Sequence, residues 1–286
     1  ELTKAVLIAK SGRPGPVLVD IPDDVQRMDI ETQLIAPGAY LVGEESPEAY
    51  SHEVIMEDLL AAKRPLFIFG SAVGDAAAAK EIMFNLGIPC VVTWGALDHF
   101  GGHPLHFGGF GTHGVRYANF IVQNADYIVT VGTRLDTKAT GQPASAFAPK
   151  AKLVMVDIDD AELGKMKRIG RPLYRSILYD ASEFLQELCV EAAHHPMRDT
   201  EGWLDQCMRW RSDYSPMLPV YFQEKLNPYA FVEALGRVLN PDDVIVSDTG
   251  CALGWMAQAF KFTGQRFLHA WNNTPMGYGL PAAVGA

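Results

Sequence analysis

The sequence lacks any apolar run long enough to cross a membrane, which takes roughly 18 residues or more. Its first residues also lack the pattern of a secretory signal peptide, a charged segment followed by an apolar one. From these two absences we expect neither a membrane-spanning helix nor a secretory signal peptide. We therefore predict a cytoplasmic protein with no membrane partner.

Basic residues are scarce: 24 Lys and Arg stand against 34 Asp and Glu, for a net charge of -10. Nucleic acids bind basic patches, so we expect no nucleic-acid partner. The 4 cysteines are far apart and form no CxxC pair, which predicts buried reduced thiols rather than a metal site. The sequence also has no Gly-x-Ser-x-Gly elbow, Walker loop or HExxH motif.

What is present is a globular composition, 48% hydrophobic and 20% charged over 286 residues. Short apolar segments at 66–70, 88–93, 127–132 and 153–157 alternate with helical patterns at 75–86, 117–123 and 182–190. Strands that are apolar throughout are typical of a parallel sheet buried on both faces. The pattern predicts an α/β fold with a doubly wound sheet of the six-stranded type, flanked by partial α/β domains.

The flanking segments resemble pieces of further domains. Residues 2–10 predict a helix and residues 17–21 a strand, and residues 29–46 indicate a linker that ends at a helix start, Ser46-Pro47-Glu48. Trp203 and Trp210 share a helix face, where core packing is the default. A last unit begins at Asn227 and ends, without a stop pattern, in a run of Gly, Pro and Ala; both ends therefore predict that the chain is part of a longer polypeptide.

Three strand-to-helix turns of the central unit are candidates for cofactor contact, because parallel sheets bind ligands at the carboxyl ends of their strands. They contain Gly70, Gly111 and Arg134, and Asp157 ends the next strand. Each turn alone is also compatible with a simple tight turn, but together they predict a dinucleotide site. Asp248, before a further turn at Gly250, is either a cofactor residue or a helix cap.

Four histidines surround the glycine-rich loop at 108–114: His99, His103, His106 and His113. Their spacing does not suit a zinc site, which would need a nearby Cys or carboxylate as well. We predict that they satisfy backbone groups in loops, and we assign no metal ligand in this chain.

The order of several motifs resembles the thiamine-diphosphate (ThDP)-dependent acetolactate synthase family. Arg13-Pro-Gly-Pro-Val-Leu-Val-Asp-Ile-Pro22 is similar to the end of that family's pyrimidine-binding domain. Four further motifs are similar to the family's central domain and follow one another in the family's order: Lys63-Arg-Pro65, His113-Gly-Val-Arg-Tyr-Ala-Asn119, Gly132-Thr-Arg134 and Val156-Asp-Ile-Asp159. Met276-Gly-Tyr-Gly-Leu-Pro-Ala-Ala-Val-Gly-Ala286 is similar to the opening of the diphosphate-binding domain.

The resemblance implies a domain plan. Residues 1–30 end the pyrimidine-binding domain, 31–48 form a linker, 49–190 the Rossmann-like central domain, 191–226 a second linker, and 227–286 the start of the diphosphate-binding domain. It also implies catalysis by decarboxylation and carboligation of a 2-oxoacid substrate, with ThDP as cofactor, in a homodimer or homotetramer.

The resemblance implies site residues one by one. Met276 would prop the cofactor in a bent shape, and the main chain near Thr274 would accept a hydrogen bond from its amino group. Gly250 and Cys251 would hold the diphosphate with main-chain groups, and Asp248 and Gly277 would also bind the cofactor. In flavin-bearing members the positions of Arg134 and Asp157 lie at the flavin nucleotide, so FAD is open as a second cofactor.

Departures from the family pattern limit these implications. The family's Gly-Gln-His is Gly250-Cys-Ala252 here, a second acid is replaced by Thr137, and Thr274-Pro275 stands where a glycine precedes the Met motif. The glutamate that activates the cofactor would lie before Glu1, and the Gly-Asp-Gly motif that binds Mg²⁺ after Ala286, so we expect the isolated chain to be inactive. Two alternatives stay open: a nucleotide-binding module for FAD or ADP, and a structural homologue without activity.

Overall fold

A computed structural model describes residues 1–28, 50–195, 202–223, 226–270 and 272–286. The chain divides into two compact units, Glu1–Glu48 and Ala49–Ala286. The predicted linker from residue 31 and the predicted helix start at Ser46 lie outside the described residues.

The first unit contains two helices, α1 (Leu2–Lys10) and α2 (Asp23–Gln26). The strand predicted at residues 17–21 is wrong, because this segment has no regular secondary structure. A strand exists only when a neighbour completes its hydrogen bonds, and no described residue pairs with this segment. Its side chains are exposed except for that of Val19, which is half-buried, and Leu18 is exposed by 92%.

The second unit is built on a parallel sheet of six strands in the order β3-β2-β1-β4-β5-β6. This confirms the predicted α/β class and the six-stranded parallel sheet. The strands are β1 (Pro65–Phe69), β2 (Cys90–Val92), β3 (His106–Gly109), β4 (Tyr127–Val131), β5 (Lys152–Asp157) and β6 (Arg175–Leu178).

Helices cover both faces of this sheet, as the alternation of side chains on β1 shows. Phe67 and Phe69 belong to one hydrophobic core, whereas Leu66 and Ile68 belong to a second core on the opposite face. The helices are α3 (His52–Ala61), α4 (Ala77–Leu86), α5 (Arg116–Asn124), α6 (Thr137–Thr140), α7 (Asp160–Arg168) and α8 (Ala181–Ala192).

The helix ends follow local chemistry. The Ser51 side chain accepts a hydrogen bond from the Val54 amide and caps α3, and the Asp180 carboxylate accepts from the amides of Ser182 and Glu183 and caps α8. Gly87 ends α4 with φ of 66°, a left-handed conformation that glycine adopts without strain.

Beyond the sheet, α9 (Trp203–Asp213) packs against the second core. Trp203 is buried and its indole nitrogen donates to the Pro65 carbonyl at 3.0 Å, while its ring meets that of Trp210 edge-on at 5.9 Å. The tryptophan pair is therefore core packing, as predicted.

The last part of the unit contains α10 (Pro228–Val238), β7 (Val244–Val246), α11 (Cys251–Ala259), β8 (Arg266–Leu268) and α12 (Gly279–Gly285). The strands β7 and β8 pair in parallel. Hydrogen bonds join this part to the loops that follow β2 and β3: the Phe267 amide donates to the Asp98 carboxylate at 2.7 Å, and the Gln258 amide group donates to the His113 carbonyl at 3.1 Å.

None of the helices within the described ranges combines the length and apolar character that a bilayer crossing demands.

Candidate functional site

The turn after β7 holds one carboxylate between two segments of chain. Asp248 follows the strand, and its Oδ1 accepts hydrogen bonds from the amides of Thr249 at 2.7 Å and Gly277 at 3.2 Å. Its Oδ2 accepts from the Gly279 amide at 3.0 Å. The backbone N–H groups, that of Gly279 foremost, lower the pKa of Asp248. The carboxylate thus ties the segment around Met276 to the end of β7.

Met276 stands at the exposed tip of this segment. Its side chain is 91% exposed, although the residue that follows is hydrogen-bonded to Asp248. Thr274, two residues earlier, has φ of 43° and its amide donates to the Ala270 carbonyl at 3.0 Å. A bulky apolar side chain is therefore presented to solvent by a turn whose backbone is fixed on both sides.

Two glycines near Met276 leave open space. Gly250 has φ of 93° and Gly277 has φ of 86°, and a Cβ on either would meet nothing within 4 Å. Cys251 lies next to Gly250 at the start of α11 and is exposed. This surface is therefore open at Gly250, Cys251 and Gly277, which the family resemblance implies as cofactor-binding residues.

The cysteines divide by position. Cys90 and Cys207 are buried as the sequence predicts, Cys189 is half-buried, and the prediction of burial is wrong for Cys251. The reason is local: Cys251 begins α11, whose inward face is formed instead by Leu253, Met256 and Ala257.

The glycines of the central sheet have a different environment. A Cβ on Gly70 would overlap the carbonyl oxygen of Gly132, because the turns after β1 and β4 cross there. A Cβ on Gly111 would lie 2.5 Å from the carbonyl oxygen of Lys138. Close approach of the chain to itself accounts for both glycines without a ligand.

Arg134 is engaged by a carboxylate of its own chain. Its Nε and Nη2 donate to Glu162 Oε1 on α7 at 2.9 and 2.7 Å, and Lys165 binds the other oxygen of Glu162. Burial alone would raise the pKa of Glu162, but the hydrogen bonds from Lys165 and Arg134 outweigh it and lower that pKa. Asp157 is buried and accepts from the Asp159 amide at 3.0 Å.

The structure thus forms two groups from the predicted residues. In the first group, Asp248 is hydrogen-bonded to the segment that holds Met276 and Gly277, and Gly250 and Cys251 follow Asp248 closely in the chain. The second group lies at the carboxyl edge of the central sheet. The second group consists of Gly70, Gly111, Arg134 and Asp157. Contact of that group with a nucleotide stays a prediction, and the features that prompted it have an explanation in the fold.

Lys138 on α6 connects the two groups, and the sequence did not single it out. Its Nζ donates to the Asn272 carbonyl at 3.3 Å and lies 5.4 Å from the centre of the Trp94 ring. Its carbonyl accepts from the Thr112 amide at 2.8 Å. The Asp136 cap that starts α6 is visible in the sequence, but the contact with Asn272 depends on tertiary structure.

The histidines have varied roles. His99 pairs with Asp98 at 2.9 Å, His103 Nδ1 accepts from the Leu105 amide at 3.3 Å, and His113 meets Trp94 edge-on at 4.5 Å. Burial lowers the pKa of His106 to about 4, and its Nε2 has no hydrogen-bond partner. His103 satisfies a backbone group in the way predicted, and so does His106, whose ring is hydrogen-bonded to the backbone of Phe100. No group of three or more His, Cys, Asp and Glu in the described ranges could hold a metal ion.

Comparison with known proteins supports the family resemblance independently of the geometry. The family model for the central domain of thiamine pyrophosphate enzymes matches residues 53–188, and the model for their C-terminal TPP-binding domain matches residues 248–286. The second match begins at Asp248 and includes the Met276 segment.

Curated relatives agree with the family models. The chain is 33% identical to the acetolactate synthase large subunit of Corynebacterium glutamicum over 100% of this chain and 46% of that protein. The isozyme 1 large subunit of Escherichia coli is 33% identical over 100% of this chain and 50% of its own length. The probable acetolactate synthase large subunit of Methanocaldococcus jannaschii is 34% identical over 98% of this chain and 49% of its own length.

The chain spans about half the length of these relatives. Both family models lie on the second compact unit. The motifs from Lys63 to Asp159 and from Met276 to Ala286 fall within the matched residues, whereas the motif from Arg13 to Pro22 lies outside them. The chain belongs to the thiamine-diphosphate-dependent enzymes of the acetolactate synthase-like family.

Proposed function

We propose that the chain is part of an enzyme that uses ThDP to decarboxylate a 2-oxoacid and to join the remaining fragment to an acceptor. The observation that carries this proposal is Met276, an apolar side chain 91% exposed on a turn that Asp248 fixes. On this fixed turn the apolar side chain is available to a ligand that would cover it, beside the open space at Gly277.

The residues present fit this cofactor. Gly250 and Gly277 leave open space where a diphosphate can approach the backbone, and Met276 offers an apolar support for a ring. When bound, ThDP would supply a thiazolium carbon that, once it has lost its proton, can add to the keto group and accept the electron pair that stays behind when CO₂ leaves.

The chain's own residues would bind and orient the cofactor. Met276 would pack between its two rings and hold them at an angle, while the backbone at Gly250 and Cys251 would donate to the diphosphate. The main chain at Thr274 would accept a hydrogen bond from the cofactor's amino group and so orient it toward the reacting carbon.

Magnesium and subunit assembly enter the proposal through the resemblance alone. The family binds Mg²⁺ with the cofactor diphosphate, and we propose the same for the full-length protein, as a homodimer or homotetramer. We assign no Mg²⁺ ligand in this chain and derive no step from the ion.

Flavin has less support than ThDP. Arg134 is bound by Glu162, and the chain itself fills the space beside Gly70 and Gly111. These residues do not call for a flavin nucleotide, and we derive no step through one. A purely nucleotide-binding role is not favoured, since it would leave the exposed Met276 unexplained.

Titration of the full-length protein with ThDP in the presence of Mg²⁺, followed by tryptophan fluorescence or calorimetry, tests the proposal. We expect saturable binding in the wild type, consumption of pyruvate by the loaded protein, and weaker binding in Met276→Ala. Absence of binding in the wild type would contradict the proposal and would favour a structural homologue.

A further inference from the structure

We propose that Asp248 is a positioning residue: its carboxylate fixes the turn at residues 277–279 and so sets the place of Met276, without contact with the cofactor. This inference rests on the proposed function, because the consequence of the position is the fit to ThDP. The claim about the turn itself concerns this chain alone.

The geometry assigns both carboxylate oxygens to backbone donors. Oδ1 accepts from the amides of Thr249 and Gly277, at 2.7 and 3.2 Å, and Oδ2 accepts from the Gly279 amide at 3.0 Å. Three charge-assisted hydrogen bonds thus hold one side chain in a single orientation, with both oxygens directed at its own backbone. Both oxygens are therefore occupied by the protein's own backbone. A carboxylate is also a poor partner for a diphosphate, because both groups are anions.

The close approach of Gly279 supports the same conclusion. A Cβ on Gly279 would lie 3.2 Å from both the Asp248 amide nitrogen and its Cβ. The glycine thus lets α12 begin directly against the end of β7, where the carboxylate can reach its amide. The lowered pKa of Asp248 agrees, because these backbone donors favour the charged carboxylate.

Little else in the described residues holds this segment. The helix α12 has no buried residue, and Leu280 and Val284 are 78% and 83% exposed. Besides the Asp248 bonds, the polar contacts that bear on the segment are the Thr274 amide to the Ala270 carbonyl and the Lys138 ammonium to the Asn272 carbonyl. Both lie before Met276. After Met276, the described residues show the Asp248 bonds to Gly277 and Gly279 and a bond at the start of α12, from the Ala282 amide to the Tyr278 carbonyl.

Asp248→Asn isolates the effect. It replaces one acceptor oxygen by a donor amide of the same shape, so at least one backbone N–H loses its partner. Asp180→Asn is the matched control: the Asp180 carboxylate also accepts from two backbone amides, those of Ser182 and Glu183, but it caps α8. Asp248→Glu retains both oxygens one methylene further along and serves as the conservative variant.

The first measurement is hydrogen exchange of the full-length protein without ThDP, read by mass spectrometry over residues 272–286. We expect Asp248→Asn to speed exchange in this segment about tenfold, Asp248→Glu to restore part of the protection, and Asp180→Asn to leave it unchanged. If Asp248→Asn does not fold, the same comparison between Asp248→Glu and the wild type decides the point.

The second measurement is ThDP titration with Mg²⁺. We expect Asp248→Asn to raise the Kd for ThDP about tenfold and to keep most of kcat at saturating ThDP, since the residue positions a support rather than reacting atoms.

Unchanged exchange in Asp248→Asn would overturn the inference, and so would weaker ThDP binding with unchanged exchange, which indicates direct contact. Failure of the wild type to bind ThDP would instead contradict the proposed function, because the exchange experiment contains no cofactor. The two failures are therefore distinguishable.

Discussion

The glycines of this chain fall into two kinds, which differ in what lies beside the backbone. The space beside Gly70 and Gly111 is filled by carbonyl groups of the chain, whereas Gly250 and Gly277 face open space with φ values of 93° and 86°. Glycine in a sequence indicates close approach of something to the backbone, but it does not identify the partner. Here the first pair meets the protein, and we propose that the second pair meets ThDP.

Met276→Ala tests the exposed apolar residue. Because its side chain is 91% exposed, truncation should change the free energy of unfolding by less than about 0.5 kcal/mol. The Kd for ThDP, measured by titration of the full-length protein, should rise. Urea unfolding checks the first expectation.

Met155→Ala is the matched control, since Met155 is fully buried in β5. It should cost about 2–5 kcal/mol of stability and leave the Kd for ThDP unchanged in the protein that remains folded. Equal effects of the two substitutions on stability would show that Met276 packs against protein rather than a ligand.

The Arg134–Glu162–Lys165 group gives a pH-dependent prediction. Because the folded protein lowers the pKa of Glu162, the group stabilises the fold above the unfolded-state pKa and loses this effect as the pH falls through the folded-state pKa. Glu162→Gln should therefore lower stability at pH 7, by less than about 1 kcal/mol since Arg134 is largely exposed. The difference in urea midpoint between wild type and variant should vanish in acid; a constant difference at all pH values would contradict the ionic contribution.

At the scale of the element, two strand-to-helix turns cross where β1 and β4 end. The crossing leaves no room for a side chain at position 70, because a Cβ would overlap the Gly132 carbonyl. The turn after β1 therefore packs directly on the backbone of the turn after β4.

Gly70→Ala should destabilise the protein by about 3 kcal/mol, since the neighbour is backbone and cannot rotate away. Gly164→Ala is the control: Gly164 lies inside α7, and its nearest neighbour is the flexible Arg168 side chain at 3.4 Å. That change should stabilise the helix by up to about 1 kcal/mol. Thermal unfolding of both variants measures the contrast, and similar stabilities would contradict the crossing.

Sequence patterns predict some elements well because burial dictates composition. The strands β1 and β4 are buried at every position, so an apolar run is required. The strand β3 was missed because it lies at the sheet edge, alternates in burial and contains Gly108 and Gly109. The strand β6 was missed as well, because it lies at the other edge of the sheet and begins with the polar residues Arg175 and Ser176. The segment at 17–21 looks like a strand but lacks a described neighbour, and pairing is not encoded in a single segment.

The candidate site was predictable to a similar degree. Asp248, Gly250 and Gly277 were identified by type and order, and the structure brings them together. The backbone amides that donate to the Asp248 carboxylate were not predictable, because Gly277 and Gly279 are remote from Asp248 in sequence and approach it only in the folded chain. Lys138 was missed for the same reason.

At the scale of the whole molecule, hydrogen bonds within the second unit join the central domain to the segment that matches the TPP-binding domain model. Asp98 accepts from Phe267, and Gln258 donates to the His113 carbonyl, so the two parts form one compact body. We expect residues 1–286 expressed alone to show no pyruvate consumption with ThDP and Mg²⁺, while the full-length protein does. Turnover by the isolated segment would contradict the assignment of essential groups to the remainder of the protein.

The central claim is that Met276 stands on a fixed turn to support ThDP. The most direct measurement is calorimetric titration of ThDP with Mg²⁺ into the full-length wild type and Met276→Ala. We predict saturable binding by the wild type and a clearly higher Kd for the variant, with equal stability of the two proteins. Equal affinity of both proteins, or no binding by the wild type, would contradict the claim.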